Sequence, residues 1–244
     1  MKETIYTIPI NEAFDTECNC PLCLIEEKVE NEQTKYVLGP SMMEPEFRIK
    51  SNENGFCKTH YKKLLENHMA LPTALILQTH AEYYNKKLFD NTNLTGSKKS
   101  LFKKNSDEFK YAQNIIKEIN KLNNSCVICE NVKSIMDRYV DNLIYIWKTQ
   151  PDFKTKYSSK KGFCLPHFAI ILDYASKNLS AKDFSDFFEI SIKMQIESQN
   201  GIYQDISSFV NLFDYNSDKN PSPDVKNAIN NTIQKYSGLS AEND

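Results

Sequence analysis

Residues 126–147 read CVICENVKSIMDRYVDNLIYIW, and two patterns meet in them. Cys126 and Cys129 stand three apart, a spacing at which two thiolates reach one ion from a single turn. From there on, Val132, Ile135, Met136, Tyr139, Val140, Leu143, Ile144 and Trp147 take the i, i+3, i+4, i+7 steps of one helical face. A ligand pair followed at once by an amphipathic helix predicts a helical fold clipped by metal.

The pattern is written twice. Cys20-Pro-Leu-Cys23 is followed by Gly-Phe-Cys57-Lys-Thr-His60, and Cys126-Val-Ile-Cys129 by Gly-Phe-Cys164-Leu-Pro-His167. Cys20 and Cys23 precede their counterparts by 106 residues, Cys57 and His60 by 107. Pro45-Glu-Phe-Arg48 matches Pro151-Asp-Phe-Lys154, still at 106, so one inserted residue before Gly162 accounts for the change. After the histidines, Tyr61, Leu64 and Leu65 match Phe168, Ile171 and Leu172. Register kept this far marks an internal duplication with two Cys3His sets.

Composition bounds the rest. The 244 residues suffice for two similar units, and 40% hydrophobic with 25% charged residues is ordinary for a globular protein. A net charge of −2 speaks against a nucleic-acid surface; Lys98-Lys99 and Lys103-Lys104 sit in a polar linker. No run approaches the roughly 20 apolar residues of a membrane span, and the start lacks the apolar core of a secretory signal. The chain is expected in the cytoplasm, where cysteine clusters read as metal sites rather than disulfides.

Only six glycines leave few turns for a β fold. Helices are predicted at Leu24 to about Leu38, through Leu64-Leu65 until Pro72 interrupts, at Ala74–Leu88, at Val132–Trp147 and at Phe168–Ala175. Another runs from Asp183 to about Ser198, behind the capping signal Ser180-Ala-Lys-Asp183. The expectation is all-α: a first unit at 1–90, a polar linker at 91–106, a second unit at 107–215 and a helical extension at 216–244. A break falls at Asn216 to Pro223, and the end at Glu242-Asn243-Asp244 is acidic.

Within each copy, Cys-x2-Cys and Cys-x2-His are expected to close one tetrahedron across a loop of 33 or 34 residues, giving the ligand sets Cys20, Cys23, Cys57, His60 and Cys126, Cys129, Cys164, His167. Zinc, two per chain, is the natural occupant, with iron–sulfur or a redox dithiol as alternatives. Gly55 and Gly162 would let the backbone turn into the next helix, and Phe56 and Phe163 would plug the core. Four protein ligands leave no open position for water, so each site reads as structural.

Other residues carry weaker signals. Cys18 lacks a counterpart, since Asn124 takes the equivalent place; it is either a half-buried thiol or a reactive thiol or alternate ligand. His80 reads as a core histidine, although Gln78, Thr79 and Glu82 beside it allow a pocket; His68 also lies outside the pattern. Met42 to Arg48 reads as a loop with Phe47 in the core and Arg48 paired with Glu44 or Glu46, or holding an anion. No phosphate loop, Ser/His/Asp order or HExxH occurs.

The chain resembles an uncharacterised bacterial family of unknown function whose members carry CxCPLC, MMEPxxR, GFCxxH, CxxCE and GFCxPH motifs. Here these are Cys18 to Cys23, Met42 to Arg48, Gly55 to His60, Cys126 to Glu130 and Gly162 to His167. The resemblance spans nearly the whole chain and implies bacterial origin and metal binding, with no activity. The expected role is a non-enzymatic zinc scaffold for a protein or small-molecule partner. The alternatives are a thiol-based redox or metal-responsive regulator and, more weakly, an enzyme with a pocket near His80.

Overall fold

The apolar stripe of 132–147 forms part of one long helix. A computed structural model describes residues 6–89, 107–214 and 220–239, and every regular element among them is helical. The first copy carries α1 (Thr7–Asp15), α2 (Pro21–Leu38), a short 3₁₀ turn (Pro40–Met43), α3 (Pro45–Asn54), α4 (Lys58–Glu66) and α5 (Ala70–Phe89). The second carries α6 (Asp107–Asn123), α7 (Val127–Thr149), α8 (Pro151–Ser158), α9 (Leu165–Asn178) and α10 (Ala181–Asn211). Two short helices, α11 (Pro223–Lys226) and α12 (Ala228–Ser237), follow. The expected linker at 91–106, residues 216–219 of the second break and the acidic end lie outside the described residues.

The duplication is visible element by element. α2 and α7 each begin one residue after the first cysteine of a Cys-x2-Cys pair. Pro45 and Pro151 each open a short helix at its first position, where proline's fixed φ suits the helix and its missing N–H costs nothing. The Pro45 segment is thus a helix rather than the expected loop, with Phe47 and Phe153 buried as its anchors. Pro72 interrupts nothing either, because it lies in the first turn of α5. The break comes at residues 67–69, around His68 at φ 53°. Ser180 caps α10 as expected, its side chain accepting from Asp183 N at 3.2 Å.

The compact units are not the two copies in succession. One unit comprises residues 1–28 with 135–244, the other residues 29–134. The expected division into 1–90 and 107–215 therefore gives way to two interleaved units, with the chain passing between them inside α2 and again inside α7. The physical reason lies in helix length. α2, Pro21–Leu38, runs on past Cys23 to Leu38 without a turn, about 22 Å at about 1.5 Å per residue, and the α3 that follows has only 10 residues.

Each unit has its own core. In the first, Phe14 packs against Phe153 at 5.0 Å and Tyr157 at 6.0 Å between ring centres. Phe187 bridges Tyr157 at 5.4 Å and Trp147 at 4.9 Å. All five are buried, and side chains of this kind contribute about 1.5–3 kcal/mol each. In the second, Phe56 meets Tyr61 at 5.5 Å, and α3 packs on α5 and α6. Lys87 and Glu118 tie α5 to α6 at 2.7 Å. Arg48 does not pair with Glu44 or Glu46: its guanidinium donates to the carbonyls of Met42 and Leu75 and to Thr79 Oγ1.

Candidate metal centres

All eight sequence-predicted ligands are brought together four by four, and the pairing crosses between the copies. Cys20 and Cys23 meet Cys164 and His167, while Cys57 and His60 meet Cys126 and Cys129. The expectation that each copy closes its own tetrahedron is thereby corrected. Each compact unit still holds one Cys3His set, assembled from the Cys-x2-Cys of one copy and the Cys-x2-His of the other.

Helix ends build both sites. Cys20 and Cys126 immediately precede α2 and α7, whereas Cys57 and Cys164 are the N-caps of α4 and α9. Each cluster thus lies where two helix N-termini converge, and the partial positive charge there favours thiolates. Gly55 and Gly162 make the turn before the capping cysteines at φ 57° and 103°. A Cβ on Gly55 would come within 2.7 Å of Leu122 and 2.9 Å of His80; one on Gly162 would come within 2.9 Å of Gln195. Phe56 and Phe163 are buried behind them, as the sequence predicts.

The turns are held from behind. Gln195 accepts from Phe163 N at 3.1 Å and donates to Phe163 O at 2.9 Å. In the other unit His80 takes that duty: its Nδ1 is 2.9 Å from Asn52 O, and its Nε2 is 3.4 Å from the Tyr61 hydroxyl. Tyr84 donates to Glu53 O at 2.9 Å. Burial lowers the His80 pKa, and both ring nitrogens have partners, so this histidine positions the loop ahead of Cys57. Val127 N donates to Gly55 O at 3.1 Å, bringing the turn against the start of α7.

The geometry fits a tetrahedral ion. Zinc–sulfur bonds of about 2.3 Å and zinc–nitrogen bonds of about 2.0–2.1 Å give tetrahedral edges of about 3.8 Å (sulfur–sulfur) and about 3.6 Å (sulfur–nitrogen). In the first cluster Cys164 Sγ lies 3.8 Å from Cys20 Sγ and 3.6 Å from Cys23 Sγ. His167 Nδ1 lies 3.6, 3.5 and 3.1 Å from the three sulfurs of Cys20, Cys23 and Cys164. In the second, Cys57 and Cys129 are 3.7 Å apart, and His60 Nδ1 is 3.2, 3.2 and 3.3 Å from Cys57, Cys126 and Cys129. Both histidines offer Nδ1 to the centre and turn Nε2 to a carboxylate. Glu30 Oε1 is 2.9 Å from His60 Nε2, and Glu26 Oε2 is 3.3 Å from His167 Nε2. A carboxylate behind a ligating imidazole fixes its tautomer and raises its basicity. These two glutamates, both from α2, were missed in the sequence. Their signal was the acidity of α2 where α7 is apolar.

Protonation is strained in both clusters. Hydrogen bonds from Cys20 and Cys23 draw the Cys164 thiol far below its ordinary range, and Cys23 is correspondingly pushed far up by its bonds to Cys164 and Cys20. Burial opposes ionisation of Cys126, yet the bond from His60 and the backbone N–H groups of Cys129 and Cys57 bring it to about 6. Burial and the Cys126 charge push Cys129 up. Burial likewise disfavours the imidazolium of His167, but Cys164, Cys20 and Glu26 raise it to about 12. A bound cation would let all three thiols of a cluster ionise together beside a neutral imidazole.

Cys18 joins neither set of four ligands. It is partly buried, and burial, with the Cys20 charge adding, pushes its thiol up, opposite to the direction of a reactive thiol. None of the seven cysteines forms a disulfide. No helix among the described residues is long and apolar enough to cross a membrane.

A model of a family of unknown function (DUF6062) matches residues 1–243, and the chain belongs to that family. No curated protein and no solved structure matches the chain significantly.

Proposed function

We propose that the chain is a non-enzymatic zinc protein whose two Cys3His ions, one per unit, are structural staples holding helical surfaces for a protein or small-molecule partner. One observation carries the reading: each cluster gathers three sulfurs and one imidazole nitrogen within 4.8 Å of one another, a set of donors that one tetrahedral ion can hold. Three thiolates and a neutral imidazole around a dication leave a net charge of −1, which the two converging helix N-termini compensate. With four protein donors the tetrahedron is complete, so the ion neither activates water nor polarises a substrate. Reduced thiols suit a cytoplasmic setting.

Elemental analysis of protein purified without added metal tests this directly. Two zinc per chain is the expected result. Iron with visible absorbance, or fewer than two zinc per chain, would overturn it.

A further inference from the structure

The two clusters share a ligand set and differ in cover. In the first, all four ligands are at most 4% exposed. The last helix closes over it: Cys23 Sγ is 3.6 Å from Gly238 O, and a Cβ on Gly238 would stand 3.6 Å from Cys164 Sγ. That helix is tied down by Asn19, which donates to Asn231 Oδ1 at 2.9 Å and Gln234 Oε1 at 3.1 Å, and by Lys235, which donates to Ser198 Oγ at 2.6 Å. In the second cluster His60 and Cys126 are buried, but Cys57 is only half-buried and Cys129 is exposed. The Cys57–Cys129 edge of that tetrahedron, 3.7 Å long, is therefore open to solvent.

Resting on the zinc reading above, we propose that the second cluster is a metal-exchange site at which a thiolate from outside the chain replaces Cys129, while the first cluster keeps its ion. Substitution at a full tetrahedron needs an incoming ligand to reach the ion as one protein ligand leaves, passing through a five-coordinate arrangement that zinc tolerates. Only the second cluster offers a face for that approach. The incoming thiol's sulfur forms a bond to the ion, and the bond from the ion to Cys129 Sγ breaks. The proton given up by the incoming thiol goes to Cys129, which leaves as a thiol. The ion keeps its charge and four ligands, and nothing is oxidised or reduced. Repetition at Cys57 leaves the ion on Cys126 and His60; two further incoming thiols then replace these, their protons going to the Cys126 sulfur and the His60 imidazole, and the ion passes over on four sulfurs. The chemical class of the exchange partner is a soft sulfur donor, either a small soluble thiol or the cysteines of a metal-free acceptor protein.

The test begins with the metal count, because a chain without two zinc ions refutes the underlying reading at that step and the exchange proposal with it. The two-zinc chain is then mixed with excess dithiothreitol and a chromogenic zinc chelator. One equivalent is expected at least tenfold faster than the other. A second arm replaces the dithiol by a zinc-free peptide carrying four cysteines: transfer to both assigns thiolates generally, and transfer to the dithiol alone assigns the small-thiol source. Cys129→Ser should abolish the fast equivalent and spare the slow one; Cys23→Ser should do the reverse. Brief N-ethylmaleimide treatment, mapped by peptide mass spectrometry, should modify Cys129 and Cys57 before Cys20, Cys23 and Cys164. Release of both ions at one rate, or first alkylation within the buried cluster, would overturn the proposal.

Discussion

Crossed pairing makes a prediction that ligand spacing alone inverts. Two double variants separate the arrangements. Cys23→Ser with Cys164→Ser removes two ligands of one cluster, so the chain should keep one zinc. Cys23→Ser with Cys57→Ser removes one ligand from each cluster, so it should keep none. Pairing within copies would give none for the first and one for the second. Refolding each variant with zinc, desalting and counting metal per chain reads the answer directly.

Stability gives a second readout. The outer cluster joins residues 141 apart, Cys23 to Cys164, and the inner one residues 66 apart, His60 to Cys126. The second loop is nested in the first, so with the inner cluster closed the outer loop shortens to 141 less 66, or 75 residues. Treated as cross-links, a loop of that length and one of 66 residues are each worth about 4.4–4.5 kcal/mol of unfolded-state entropy. The Cys23/Cys164 variant should therefore melt about 9–18 °C below the parent. A variant that keeps no zinc, or that melts with the parent, refutes the crossed assignment.

Two further outcomes follow from single residues. Gly55→Ala places a Cβ at φ 57°, within 2.7 Å of Leu122 and 2.9 Å of His80; a loss of about 1–3 kcal/mol is expected in denaturant unfolding, and an unchanged midpoint would sink the account of that turn. Burial brings the Lys235 ammonium down to about 8 from 10.5, against the pull of Cys20 and Cys164; between those values the unfolded chain binds more protons, so stability should rise with pH. Lys235→Met should flatten that rise between pH 7.5 and 10, and parallel melting curves for parent and variant would refute it.

The eight ligands were legible because ligand spacing is local. Cys-x2-Cys and Cys-x2-His each state their chemistry within four residues, and Gly-Phe before the capping cysteine announces the turn and the plug. Which pair meets which is not local. It depends on how far a helix carries the chain before it turns, and the relevant signal was the run of α2 from Pro21 to Leu38 rather than any motif. The helix at Pro45 was equally readable, since proline followed by glutamate is a helix start, but its charged composition reads as a loop. Pro72 misled in the opposite sense, because a proline in a first turn looks identical in sequence to one that ends a helix.

The acidity of α2 is the feature whose meaning only the geometry supplies. Glu26 and Glu30 stand where the second copy has Val132 and Met136, both at most 7% exposed. An interleaved duplication does not leave its two long helices equivalent. α2 gives Glu26 to His167 in one unit and Glu30 to His60 in the other, so it supplies the supporting carboxylate of both clusters. The matching positions on α7 are thereby released for burial, and they extend the apolar stripe that ends at Trp147. The weak periodicity of the first helix and the strong periodicity of the second are thus two sides of one division of labour, in which one copy orients the imidazoles and the other fills the core.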